Sequence, residues 1–182
     1  IFGGTAVVND AQEIGKNGWG VEDAELDSFS KQFPGSQLRV DHSKSARDII
    51  GKLHQGSYKD GGIKFVAELG DKALAEKVQN GYITHVSICA NASKVVCSVC
   101  GKDTRPKRTC ACEKSHELIR GLKLKELSLV AEPAFDSAKI VPMSFSAALN
   151  EALSEEDKVE EVKAESKPDK VENMSEKVEA KI

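Results

Sequence analysis

From residue 5 to residue 143 the apolar residues come in short runs, several alternating with polar ones, separated by turn chemistry. This pattern constrains the fold more than any other feature. Side chains alternate between the two faces of a strand, so each such run offers one face for burial. Thr5–Val8 is a short apolar strand. Gln37–Asp41 places Leu38 and Val40 on one face, and Asp48–His54 reads as a strand around Ile49 and Ile50. Lys59-Asp60-Gly61-Gly62 is hairpin chemistry, because glycine takes positive φ at no steric cost. Ile63, Phe65, Ala67 and Leu69 then alternate in a returning strand. Tyr82–Cys89, Leu122–Ala131 and Ala138–Met143 are further strands, with Glu132-Pro133 stopping the second of these. Helical signals are fewer. Glu22–Phe29 suits a short helix before the Phe33-Pro34-Gly35 turn. Asp71 is a good N-cap, with Leu74 and Val78 one turn apart and Asn80-Gly81 as the stop. Many hairpin-linked strands with few helices predict a β-barrel or curled sheet with helices packed outside.

The charge is unevenly placed along the 182 residues, whose net charge is −3. Residues 149–182 hold 11 acidic and 6 basic side chains, a net −5, which leaves +2 on residues 1–148. That last segment has no aromatic, Gly or Cys, so it cannot bury enough apolar surface to offset the entropy of ordering. The expected organisation is a globular domain over residues 1–148 and a solvated tail over 149–182, partly helical and partly disordered. The near-neutral balance argues against a dedicated nucleic-acid binder, whose footprint is basic. No apolar run approaches the ~18 residues of a membrane helix, and no segment reads as a signal peptide. The chain starts at Ile1 rather than Met, as a processed or incomplete reading frame would.

Four of the five cysteines fall in one block: Cys97 and Cys100 separated by two residues and followed by Gly101, then Cys110 and Cys112, with His116 beyond. A Cys-x2-Cys-Gly knuckle offers two thiolates to one ion, and zinc takes four such ligands tetrahedrally. Five candidates, Cys97, Cys100, Cys110, Cys112 and His116, compete for four places, and the set is open at this stage. The alternative is a pair of disulfides or unrelated thiols. Without a secretory signal a reducing compartment is expected, where clustered cysteines bind metal. The closed-site rule makes the ion structural, holding a basic loop within a Cys-rich insertion at 94–120. Cys89 lies outside the block, in a strand, and reads as a small buried hydrophobe.

Three strand residues carry a different chemistry. Ser87 sits in the β-branched run Val86-Ser87-Ile88. His42 ends a strand. Glu126, in a regular strand, shares a face with Leu122, Leu124, Ser128 and Val130, and a carboxylate aimed at an apolar layer needs a partner. A histidine held by that acid and activating a serine would satisfy all three residues.

Four blocks in order strengthen this reading: Val40-Asp41-His42-Ser43-Lys44; Ile50-Gly51-Lys52; Asn80 to Ile88 (NGYITHVSI); and Glu126 to Ala134 (ELSLVAEPA). Over roughly residues 38–142 the chain resembles the prohead (capsid-maturation) proteases of tailed viruses, phages included, which are related in fold to herpesvirus assemblin. The resemblance implies a small closed or curled β-barrel, α+β but mainly β, with surrounding helices, to which the residues themselves add a zinc-knuckle-like insertion, similar to the Cys-rich insertion of some large-phage members, and a charged tail. It assigns Ser87 as nucleophile and His42 as general base. Glu126 falls where the motif carries an acid, with His85 and His116 as rivals for the third role and His54 left as structural. The implied activity is a serine endopeptidase cleaving scaffold protein, the major capsid protein and itself, in the interior of procapsids assembled in the host cytoplasm. Zinc is the expected structural cofactor, with none for catalysis. Self-association is compatible with this reading, whereas membrane and nucleic acid are not expected partners. The chain departs from the family at the common Ser-x-Gly, since Ser87 is followed by Ile88 and Cys89. An inactive capsid-assembly or scaffolding protein with the same zinc loop is therefore the alternative. A zinc-ribbon nucleic-acid module, suggested by the basic run 102–108, is a third reading, weakened by the absence of aromatics there for base stacking.

Overall fold

The computed structural model describes residues 1–105 and 112–142. The chain divides into two units, Ile1–Ala148 and Leu149–Ile182. The second, with the tail reading attached to it, lies outside the described residues.

The described residues of the first unit are mainly β, with a curled half-barrel sheet and two α-helices. Its elements are β1 (Phe2–Val8), β2 (Trp19–Gly20), α1 (Asp23–Ser30), β3 (Gln37–Val40), β4 (Ile49–Lys59), β5 (Gly62–Leu69), α2 (Lys72–Gln79), β6 (His85–Cys97), β7 (Glu117–Val130) and β8 (Ile140–Pro142). In the sheet the order is β2-β7-β3-β4-β5-β1-β8, with β6 on β7. An isolated bridge, His85 to Lys139, ties the start of β6 to the chain entering β8. The amide of Val86 also bonds the Ala138 carbonyl at 3.0 Å, drawing the two ends of the sheet toward each other.

Local chemistry accounts for the connections. Asp60 (φ 53°) and Gly61 (φ 72°) are consecutive left-handed residues, and they make the tight β4–β5 turn that matches strand twist. Gly51 is needed where β4 meets β5, because a Cβ there would lie 1.9 Å from the Glu68 carbonyl oxygen. The side chain of Asp71 accepts from the Leu74 amide at 2.9 Å and caps α2. The core gathers Phe2, Phe29, Phe33, Leu38, Leu53, Ile63, Leu127 and Leu129, all nearly inaccessible. Phe29 and Phe33, from α1 and the turn after it, meet edge to face.

Two strands outrun their sequence signals. β6 continues through Asn91, Ser93 and Lys94 to Cys97, and β7 begins at Glu117 rather than Leu122. These polar stretches pair with each other, Lys94 with Arg120 and Asn91 with Lys123. Ala92 and Ile119 pack against the core and Val95, Val96 and Leu118 are buried, but the polar residues among them break the alternation that would mark a strand. The Cys-rich segment is thus the tip of the β6–β7 hairpin. The two ends of the expected 94–120 insertion, 94–97 and 117–120, are strand.

Candidate active site

A bulge in β7 sets the placement of Glu126. Across β6 and β7, Cys89 pairs with Glu126 but Ala90 pairs with Leu124, so Lys125 is an extra residue. One extra residue reverses the alternation beyond it. Leu122 and Leu124 therefore share the core face with Leu127 and Leu129, and Glu126 with Ser128 lies on the opposite face. This corrects the regular-strand expectation, in which Glu126 shared a face with Leu122 and Leu124. The carboxylate is nonetheless only 5% exposed, so it still requires partners.

It has them. Glu126 Oε1 lies 2.7 Å from His42 Nδ1, and the Ser128 hydroxyl donates to Glu126 Oε2 at 2.7 Å. Ser128 Oγ in turn accepts from the His42 backbone amide at 3.0 Å. One buried serine thus holds both the acid and the main chain of the histidine. Parallel pairing of β3 with β7 brings Val40 beside Leu129, and Asp41 N–H bonds the Leu129 carbonyl at 3.0 Å. The chain then reverses through Asp41 (φ 48°) and His42 (φ 54°), closed by the Ser43 amide on the Val40 carbonyl at 2.9 Å. Two successive non-glycine residues at positive φ are uncommon and costly, and they concentrate where function holds a side chain in place. Here the turn folds the imidazole back over β7.

With Nδ1 donating to a carboxylate, Nε2 is left as the acceptor nitrogen. The bond to Glu126 holds the His42 pKa above its ordinary value, helped by the charges of Glu126 and Asp41 and opposed by partial burial. Folding therefore favours the imidazolium. Its contribution to stability is complete below the unfolded pKa near 6.5 and is lost as pH rises through the higher folded value.

Ser87 pairs directly with Ser128, and Cys89 with Glu126, so both side chains stand on the face that carries Glu126. Ser87 is buried. Among the described residues no hydrogen bond joins it to His42; in resting enzymes that bond is often long and tightens on the substrate. The three expected residues thus come to one face of adjoining strands, with the histidine–acid link made. Cys89 was not expected there. It is half-buried, and its sulfur, a ring nitrogen of His42 and a carboxylate oxygen of Glu126 lie within 4.8 Å of one another. Burial foremost, and then the Glu126 charge, push its thiol pKa up. Ser128 was also missed as a site residue. The signal for both is spacing: each stands two residues along a strand from a named site residue.

The rival histidines go elsewhere. His85 bonds Thr84 Oγ1 at 2.9 Å, and His54 meets Glu68 at 2.9 Å on the surface. His116 Nε2 faces Asp10 at 3.3 Å. At the hairpin tip, the sulfurs of Cys97, Cys100 and Cys112 lie within 4.8 Å of one another, a set able to hold a metal ion, and no disulfide links two described cysteines. The Val99 amide donates to Cys97 Sγ at 3.3 Å, and Gly101, at φ 69°, turns its amide onto the Cys97 carbonyl at 3.0 Å. Cys110 lies outside the described residues. His116 is not gathered with these three thiols, and its Nε2 faces Asp10. Its main chain instead closes the tip, its amide bonding Ser98 Oγ at 3.1 Å and its carbonyl the Ser98 amide at 3.0 Å.

Comparison with protein-family models, with curated proteins and with solved structures returned no match. Among the described residues no helix is long and apolar enough to cross a membrane.

Proposed function

We propose that the protein is a serine endopeptidase of viral procapsid maturation, acting on scaffold and capsid proteins and on itself. The observation that carries the reading is the 2.7 Å contact of His42 Nδ1 with the buried Glu126, on the face that also bears Ser87. In this mechanism Ser87 Oγ attacks a peptide carbonyl while His42 Nε2 accepts its proton. The imidazolium then gives that proton to the leaving amine, and water repeats the cycle on the acyl-enzyme. Glu126 holds the tautomer and stabilises the imidazolium, and Ser128 holds Glu126. The capsid setting rests on the order of the four sequence blocks. A fluorophosphonate probe tests the hydrolytic reading: it should label the native chain on Ser87, with labelling lost on heat denaturation. An unlabelled native chain would favour the inactive assembly protein, for which the Cys89 side chain at the usual glycine position is the supporting observation.

The thiol cluster at the hairpin tip is proposed to hold a structural zinc ion through Cys97, Cys100 and Cys112, with Cys110 as the fourth ligand. Protein purified under reducing conditions should contain about one tightly held zinc per chain, by the four-ligand rule. Chelation should speed amide exchange at 97–104 and 112–118 well before the Leu127–Leu129 ladder. Absence of stoichiometric metal, or uniform loosening, would remove the proposal.

A further inference from the structure

A thiol, an imidazole and a carboxylate within 4.8 Å of one another are a donor set for a soft or borderline divalent ion. At His42, Cys89 and Glu126 this set is built. Glu126 is fixed by Ser128, His42 is fixed by its left-handed turn, and Cys89 is placed by direct pairing with Glu126. The His42 side chain is 38% exposed, so an ion has an approach from solvent. Peptide hydrolysis by the mechanism above has no use for the Cys89 sulfur, yet that sulfur stands beside the two groups the mechanism needs.

We propose that His42, Cys89 and Glu126 form a second metal site, distinct from the hairpin-tip thiols, and that zinc bound there switches the peptidase off. The thiol loses its proton to solvent as the sulfur–zinc bond forms. The ion draws on the imidazole and the carboxylate, so the histidine can no longer serve as base. Three protein donors leave one position for water, the arrangement of an open zinc site. Such a site would keep the enzyme silent in a zinc-replete setting and release it when the ion is withdrawn. The inhibitory half rests on the peptidase reading; the binding half rests only on the three side chains.

The test uses the full chain with its tip site already loaded. Zinc bound at equilibrium is counted by elemental analysis in the wild type, Cys89→Ala and His42→Asn, the last because asparagine tolerates positive φ. Both variants should bind the second zinc at least about ten-fold more weakly, since even outer-shell losses cost that much. Zinc should also shield Cys89 from iodoacetamide, read by peptide mass spectrometry, with circular dichroism checking the fold of each variant. Equal second-zinc binding in the wild type and a folded variant, or full alkylation of Cys89 at saturating zinc, would overturn the site. In the activity arm, zinc should suppress cleavage in the wild type and at least ten-fold less in Cys89→Ala, expressed for each protein as the ratio without and with metal. A chain that binds the second zinc but cleaves nothing would overturn the peptidase reading and the inhibitory role, and leave the metal site standing.

Discussion

Ser87→Ala and His42→Asn are each expected to lower peptide cleavage by at least about 10³-fold, and the double variant should be little worse than either, because a nucleophile and its base act as one unit. Asparagine suits residue 42 because the backbone there is left-handed (φ 54°), where alanine would add strain to the loss of the imidazole. Ser87→Ala removes one oxygen from a buried strand position whose ladder to Ser128 is unaffected, so its melting temperature should change little. Self-processing of the full chain, followed by mass spectrometry, gives an independent readout. Persistent processing in purified Ser87→Ala protein would remove Ser87 from the mechanism. Transfer of that residual activity to iodoacetamide sensitivity would identify Cys89 as the nucleophile.

Glu126→Gln is expected to lower the rate by about 10²–10⁴-fold, the range over which loss of the orienting acid acts in such triads. The amide keeps the shape but can present its NH2 to Nδ1, which favours the wrong tautomer. The pH dependence gives a sharper signature. His42 is held above its ordinary pKa first by its hydrogen bond to Glu126 and then by the Glu126 and Asp41 charges. A general base works when neutral, so wild-type activity should rise with pH through that elevated value. Without the carboxylate the imidazolium loses its main stabilisation, the pKa falls, and the rising limb moves to lower pH. NMR titration of His42 in metal-free protein measures the same shift without turnover. An unmoved His42 titration in folded Glu126→Gln would separate the acid from the base. Ser128→Ala should move it in the same direction by less, since Ser128 bonds the other carboxylate oxygen.

How much of this was legible along the chain depends on the range over which each feature is determined. The β4–β5 hairpin could be read because Asp60 and Gly61 specify their turn within four residues, and α2 because Asp71 caps its own helix. The half-barrel class followed from the many short apolar runs joined by turn chemistry. The gathering of Cys97 and Cys100 followed from their short spacing, which the Gly101 turn closes. The far ends of β6 and β7 left no such mark, since their buried Val95, Val96 and Leu118 stand among polar residues that break the alternation.

The site lay between these cases. Ser87, His42 and Glu126 could be named from residue type and motif order, but their relation belongs to the tertiary structure. Parallel pairing of β3 with β7, between residues 89 positions apart in the chain, decides that His42 meets Glu126 rather than some other acid. The bulge at Lys125 decides which face Glu126 takes. That bulge is one unpaired residue in a run that reads as regular, so its consequence appears only once β6 supplies a register to slip against. The same register moves Cys89 from an expected core position to the edge of the histidine–acid pair. A side chain's type is a property of its codon. Its neighbour across a sheet is set by how the whole ladder aligns, and that alignment is a compromise among every residue that must be buried at once.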